Sequence, residues 1–177
     1  MRSFLGLLAA VNPLAIAVAL WPREQGLRMA VTAAVAFTGA VVAAAVSEPI
    51  LDALDVTAGT FRVATAVVLG LASARWLIVG APFVSGDGPA DGWGRVAVPL
   101  LFPVVFTPQL FMVSASVGAD DGVLAAAMGA AVGLALAWVA TLATKRRQVA
   151  WNAGVRFVAA LALTVALALA VDGVKTV

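Results

Sequence analysis

Ser3 to Trp21 reads SFLGLLAAVNPLAIAVALW, nineteen residues without a charge, interrupted near the middle by Asn12-Pro13. An uncharged apolar run of this length is what a helix needs to cross the hydrocarbon core of a bilayer, about 30 Å thick. Five more apolar runs follow, near Met29–Val46, Thr60–Gly80, Val96–Gly118, Gly122–Thr144 and Arg156–Val171, with arginines only toward the ends of Thr60–Gly80 and at the start of the last. Between them lie turn and charge signals: Pro22-Arg23-Glu24-Gln25-Gly26, Glu48-Pro49 to Gly59, Gly86-Asp87-Gly88-Pro89, Asp120-Asp121 and Lys145-Arg146-Arg147. These five stretches read as loops.

Composition agrees. Hydrophobic residues make up 63% of the chain and charged residues 11%, with a mean hydropathy of +1.07. A soluble domain has about 45–50% apolar and about 25% charged residues, so the solvent for this surface is lipid. A signal-peptide reading of the first twenty residues, with Arg2 ahead of Phe4 to Leu20, competes with a retained first helix. The interruption at Asn12-Pro13 favours the retained helix.

Cysteine and histidine are both absent, which removes disulfides, thiolate nucleophiles, thiolate metal sites and imidazole acid–base chemistry. No ionisable residue falls near the centre of a run, so an embedded carboxylate proton relay is not expected. An enzyme therefore ranks last among the functions considered, and neither cofactor nor metal is expected. A net charge of +2 with basic residues scattered over loops argues against nucleic acid as a partner.

Basic residues set the orientation instead. Arg23, Arg28, Arg75, Arg95, Lys145, Arg146, Arg147 and Arg156 fall on one side of a six-span arrangement, and Arg2, Arg62 and Lys175 on the other. The first side should be cytoplasmic and both termini should face outward. Trp21, Trp76, Trp93, Trp138 and Trp151 fall toward the cytoplasmic face, where indoles anchor helix ends. Arg62 and Arg75, near opposite ends of the third run, are expected to snorkel to the headgroups.

A displacement of about 94 residues brings Arg62 onto Arg156, Ala66 onto Ala160, Leu69 onto Leu163, Ala72 onto Ala166 and Gly39 onto Gly133. It also brings Asn12-Pro13 of the first run onto Thr107-Pro108-Gln109 of the fourth. Proline has no N–H and crowds the carbonyl four residues earlier, so Pro13 should free the Ala9 carbonyl and Pro108 that of Val104. Freed carbonyls at bilayer depth need a partner helix, water or a ligand. The expectation is an all-α polytopic bundle of six transmembrane helices in one membrane domain, residues 1–177. It is a 3+3 inverted repeat, with halves at about 1–82 and 95–177, a loop over 83–94, and helices one and four broken by proline. Asn12, Pro13, Thr107, Pro108 and Gln109 are the candidate substrate-binding residues. The alternative is that the prolines only kink packed helices while the amides bond across the bundle.

Small residues recur at four-residue spacing in Ala36-Ala40-Ala44, Ala66-Gly70-Ala74 and Ala125-Gly129-Gly133-Ala137. Such faces pack closely, within the bundle or between protomers.

Phe4-Leu5 through Val11-Asn12-Pro13-Leu14, Leu54-Asp55-Val56, Thr60-Phe61-Arg62-Val63-Ala64, Ala74-Arg75-Trp76-Leu77 and Val98-Pro99-Leu100-Leu101-Phe102-Pro103 resemble, in order and spacing, the MarC family of bacterial inner-membrane proteins. That family is grouped distantly with the lysine-exporter superfamily. The resemblance implies six spans, an inverted repeat and, by analogy, export or transport of a small neutral or zwitterionic metabolite such as an amino acid. Asn12, Pro13, Pro99 and Pro103 match its signature positions. Phe106-Thr107-Pro108-Gln109 stands where the family has Gly-Pro-Gly, and Ala15 where it has Gly. Those departures, with the small-residue faces, support the competing reading of a non-transporting accessory or scaffold subunit that keeps a transporter-like fold. The partners implied are the bilayer, a small solute, and a homo-oligomeric or other membrane-protein neighbour.

The topology is open to test because the chain has no cysteine of its own. A cysteine at position 52 should react from outside intact cells with a membrane-impermeant maleimide, and one at position 146 should not.

Overall fold

The computed structural model describes residues 2–19, 27–80, 107–143 and 148–177. Three of the expected loops, at Pro22–Gly26, Gly86–Pro89 and Lys145–Arg147, lie outside the described residues. So do Pro99, Pro103, Val104, Trp21 and Trp93. Among the described residues there are eight helices and no strand: α1 Arg2–Val11, α2 Pro13–Ala19, α3 Leu27–Ala45, α4 Ser47–Leu54, α5 Ala58–Val79, α6 Pro108–Asp121, α7 Val123–Ala143 and α8 Gln148–Lys175.

The fold is all-α and suited to a membrane. Helices α5, α7 and α8 are each long and apolar enough to cross a bilayer, and α3 with α4 qualifies as a fourth span bent by 49°. The first run is a shorter apolar pair, α1 and α2, divided at Asn12.

The Glu48–Gly59 stretch expected as a loop is largely helical, and this corrects the sequence reading. Pro49 falls in the first turn of α4, where a missing N–H costs nothing. Glu48 lies in the same turn, at the positive end of the helix. The bend before it has a local cause, because the Ser47 hydroxyl donates to the Ala44 carbonyl at 2.7 Å. Asp55 ends α4 in the left-handed region, with φ 52°, and Thr57 caps α5 by accepting from the Thr60 N–H at 3.2 Å.

Packing is set by small residues. Helices α5 and α8 run antiparallel along their whole length: Gly59 faces Gly173, Gly70 faces Ala166, and Gly80 faces Asn152. Gly129 and Gly133 admit Leu7 and Val11 of α1, and Gly118 of α6 meets the backbone of Ala44 on α3. Each of the three small-residue faces thus contributes to packing inside the bundle, where closely approaching backbones gain dispersion contacts. The remaining partnerships put α2 against α7 and α8, α3 against α7, and α5 against α6.

The distribution of side chains inverts that of a soluble protein. Ala is the commonest buried residue, and Asn12, Thr32, Ser47, Thr65, Ser73, Thr107, Gln109, Ser114 and Ser116 are buried with it. The outside carries Leu71, Ile78, Leu124, Phe157 and Leu167, with Ile78 75% exposed. Large apolar groups outward and small or polar groups inward is the arrangement lipid favours.

Arg62 departs from its expected snorkelling. Its guanidinium forms a two-pronged ion pair with Asp120 at the end of α6, the Nε arm at 2.9 Å. A third contact reaches Thr176 beyond α8 at 3.5 Å. The planar guanidinium fork matches the two carboxylate oxygens in a bidentate pair. Trp76 and Trp151 also do more than anchor, since they pack against Ala15 and Val155.

The glycine contacts predict contrasting substitutions. A Cβ at position 118 would lie 2.5 Å from the Ala44 Cα, whereas one at position 70 would lie 3.7 Å from the Ala166 Cβ. Gly118→Ala should destabilise the detergent-solubilised protein by about 1–3 kcal/mol and Gly70→Ala hardly at all, read as chemical-denaturation midpoints.

Candidate functional site

Both expected breaks are helix starts built on one plan. Asn12 has φ 40°, a left-handed conformation that Asn tolerates better than most residues. Its N–H donates to the Leu8 carbonyl at 3.1 Å, completing α1, and its own carbonyl accepts from Ala15 and Ile16. The Asn12 Oδ1 then accepts from the Ala15 N–H at 3.2 Å, so the residue also caps α2, with Pro13 in the first position after it. Thr107 stands in extended backbone, and its hydroxyl accepts from the Leu110 N–H at 3.3 Å, with Pro108 again next. In each case a side-chain oxygen takes the N–H three residues on and a proline fills the slot that needs no donor.

Pro108 therefore does not interrupt a described helix; it opens α6. The carbonyl that it was expected to free, on Val104, lies outside the described residues. Pro13 sits at the corresponding position of α2 and is buried, while Pro108 is exposed.

The register of α1 and α6 brings the breaks to a common level. Leu7 and Val11 meet Gly129 and Gly133 in turn, so α1 runs parallel to α7. Helices α6 and α7 pack together through the single residue Gly122 and run antiparallel, so α1 is antiparallel to α6. Gly6 faces Val113, and six residues forward on one helix and six back on the other lead to Asn12 and Thr107. Val11 and Leu110, their neighbours, share one core cluster.

Around the breaks the buried polar groups are neutral. Gln109 is buried at the second position of α6, and Ser116 lies two turns on along the same face. Thr65 of α5 donates to the Met112 carbonyl at 3.4 Å, an interhelical bond of the kind expected of membrane threonines. Among the described residues two buried side-chain atoms have no partner, the Asn12 Nδ2 and the Ser114 Oγ. Sequence analysis passed over Ser114, although its spacing of seven residues from Thr107, like that of Ser116 from Gln109, marks a polar strip on α6.

Neither of two openings lined by described residues brings the five expected residues together. An opening of about 500 Å³ lies between α1–α2, α7 and α8 and is lined by Pro13, Leu14, Leu136, Trp151, Leu161 and other apolar groups, with Thr164. Pro13 alone of the five borders it. A smaller opening of about 230 Å³ continues from Leu5 and Thr164 along α8 to Asp172. Among the described residues no group of three acidic or other metal-ligating side chains comes together. No family model matches the chain, and no curated protein or solved structure matches it at a significant level.

The shared capping plan makes a prediction at the second break. Thr107→Val keeps the shape but loses the acceptor and should cost about 1 kcal/mol, whereas Thr107→Ser should cost less than half of that, measured as unfolding midpoints of the purified protein.

Proposed function

We propose that this chain is a multi-pass bacterial inner-membrane transporter or exporter of a small neutral or zwitterionic metabolite. In this reading it has six spans in two inverted halves, both termini outside, with the solute held near the bilayer midplane between the two broken helices. The observation that carries it is the matched pair of capped, proline-opened helix starts, spaced 95 residues apart in sequence and level in the bundle. Inverted halves with interrupted helices at the midplane are a common architecture of secondary transporters.

Two further features support the reading. Helix partners exchange as an inverted repeat requires: α1 packs on α7 while α3 packs on α6, and α5 packs on α8. The described buried polar side chains are neutral, which suits a solute with little or no net charge, since an unpaired buried charge is expensive. The MarC-like residues of the sequence point the same way.

One observation favours a second reading, an accessory subunit on a transporter-like scaffold. The 500 Å³ opening beside Pro13 is almost wholly apolar, and an apolar surface at bilayer depth suits a protein or lipid neighbour better than a polar solute.

Gln109 separates the two. Gln109→Leu replaces a buried amide with an apolar group of similar size, a change that can be nearly neutral for folding. Under the transport reading it should lower flux of labelled alanine or glycine betaine into proteoliposomes at least tenfold, with the unfolding midpoint nearly unchanged. Absence of flux in the wild type, together with a stoichiometric co-purifying membrane partner, would establish the subunit reading instead.

A further inference from the structure

We infer that the unpartnered Asn12 side-chain amide donates to a hydrogen-bond acceptor on the transported solute, a carboxylate in particular. The inference rests on the transport reading and narrows its substrate class. The amide of Asn offers both an acceptor and two donors. Here Oδ1 takes the Ala15 N–H at 3.2 Å, an N–H that it shares with the Asn12 carbonyl at 2.9 Å. The residue is 0% exposed, and its Nδ2 meets no acceptor in the protein. What the protein leaves unsatisfied on Asn12 is therefore the N–H, and a ligand that satisfies it must bring a lone pair.

The backbone requirement at this position does not account for the amide. A φ of 40° suits glycine without strain, and glycine replaces an Asn cap at little cost. Helix joining needs the turn and tolerates loss of the Oδ1; nothing in it uses the Nδ2. Hydrogen bonds that involve a charged partner are stronger than neutral ones, most of all where water is excluded. A carboxylate is thus the acceptor that gains most from this donor. The described interior offers it no buried basic side chain, which suits a solute carrying its own compensating cation, as a zwitterion does.

Two substitutions isolate the donor. Asn12→Gly keeps the left-handed turn and removes the amide. Asn12→Asp keeps the capping oxygen and exchanges the donor for a second acceptor. Binding is measured apart from transport, by equilibrium dialysis of the detergent-purified protein against labelled alanine and glycine betaine. The counterparts lacking the carboxylate, ethylamine and tetramethylammonium, are run in parallel. The wild type should bind at least one carboxylate probe and prefer it to its counterpart. Asn12→Gly should weaken that binding roughly ten- to a hundredfold, and Asn12→Asp at least as much, with circular dichroism and gel-filtration profiles of the wild type. Equal binding of a probe and its counterpart, or unchanged binding in Asn12→Gly, overturns the inference and leaves the transport reading standing. Failure of the wild type to bind either carboxylate probe also overturns it, while flux of a solute of another class would still sustain transport.

Discussion

A helix end buried among apolar groups needs something to take its hydrogen-bonding groups, and the structure depends on how this constraint is met at two capped helix starts. The chain meets it at Asn12 and Thr107 with one polar side chain each, aided by prolines that bring no N–H to satisfy. At Asn12 the solution is economical, since one residue closes α1, turns the chain and caps α2. It leaves a residual amide donor in the interior. A buried donor without a partner costs about 1–3 kcal/mol, and the left-handed turn of a residue with a Cβ costs about 1–2 kcal/mol more.

Close packing follows from the solvent. Lipid gives helices little reason to associate by burying apolar surface, so contact area and backbone approach must hold them together. Gly118 on Ala44, the Gly59–Gly173 crossing, and Gly129 and Gly133 receiving Leu7 and Val11 are the places where backbones come nearest. The Arg62–Asp120 pair ties α5 to the end of α6 near the Gly59–Gly173 crossing. Arg156 reaches the Ile78 carbonyl at 3.4 Å toward the other end of the α5–α8 pair. The two arginines matched by the 94-residue displacement thus each reach toward the other half of the chain.

Much of this was legible in the residues. Long apolar runs located α3, α5, α7 and α8, because apolar length is a direct consequence of bilayer thickness. Small-residue spacing identified faces that do pack, though only the structure assigned Gly129 and Gly133 to α1. Asn12-Pro13 marked a helix break correctly and Thr107-Pro108 marks the start of α6, but the reason given, loss of a hydrogen bond in mid-helix, was incomplete. Capping depends on backbone angles, which the dipeptide alone does not fix. Helix α4 was missed because Glu48 and Pro49 read as a loop, whereas both are favourable in a first turn. The Arg62–Asp120 pair was missed because it joins residues 58 apart in sequence, a separation no local pattern encodes. Ser114 was passed over among serines and threonines that usually bond to their own helix, as Ser73 does to Leu69 at 2.6 Å.

The account stands on the two breaks lying at one depth in the bilayer, between halves of opposite orientation. Spin labels placed singly at Leu14 and Pro108, one residue past Pro13 and at the opening of α6, report that depth through their relative collision rates with oxygen and with a water-soluble nickel chelate. In reconstituted bilayers both labels should lie near the hydrocarbon centre and agree to within one helical turn, roughly 5 Å. A label at the headgroup level on either residue, or a difference of two turns or more, would contradict the paired-break site and the inverted architecture together.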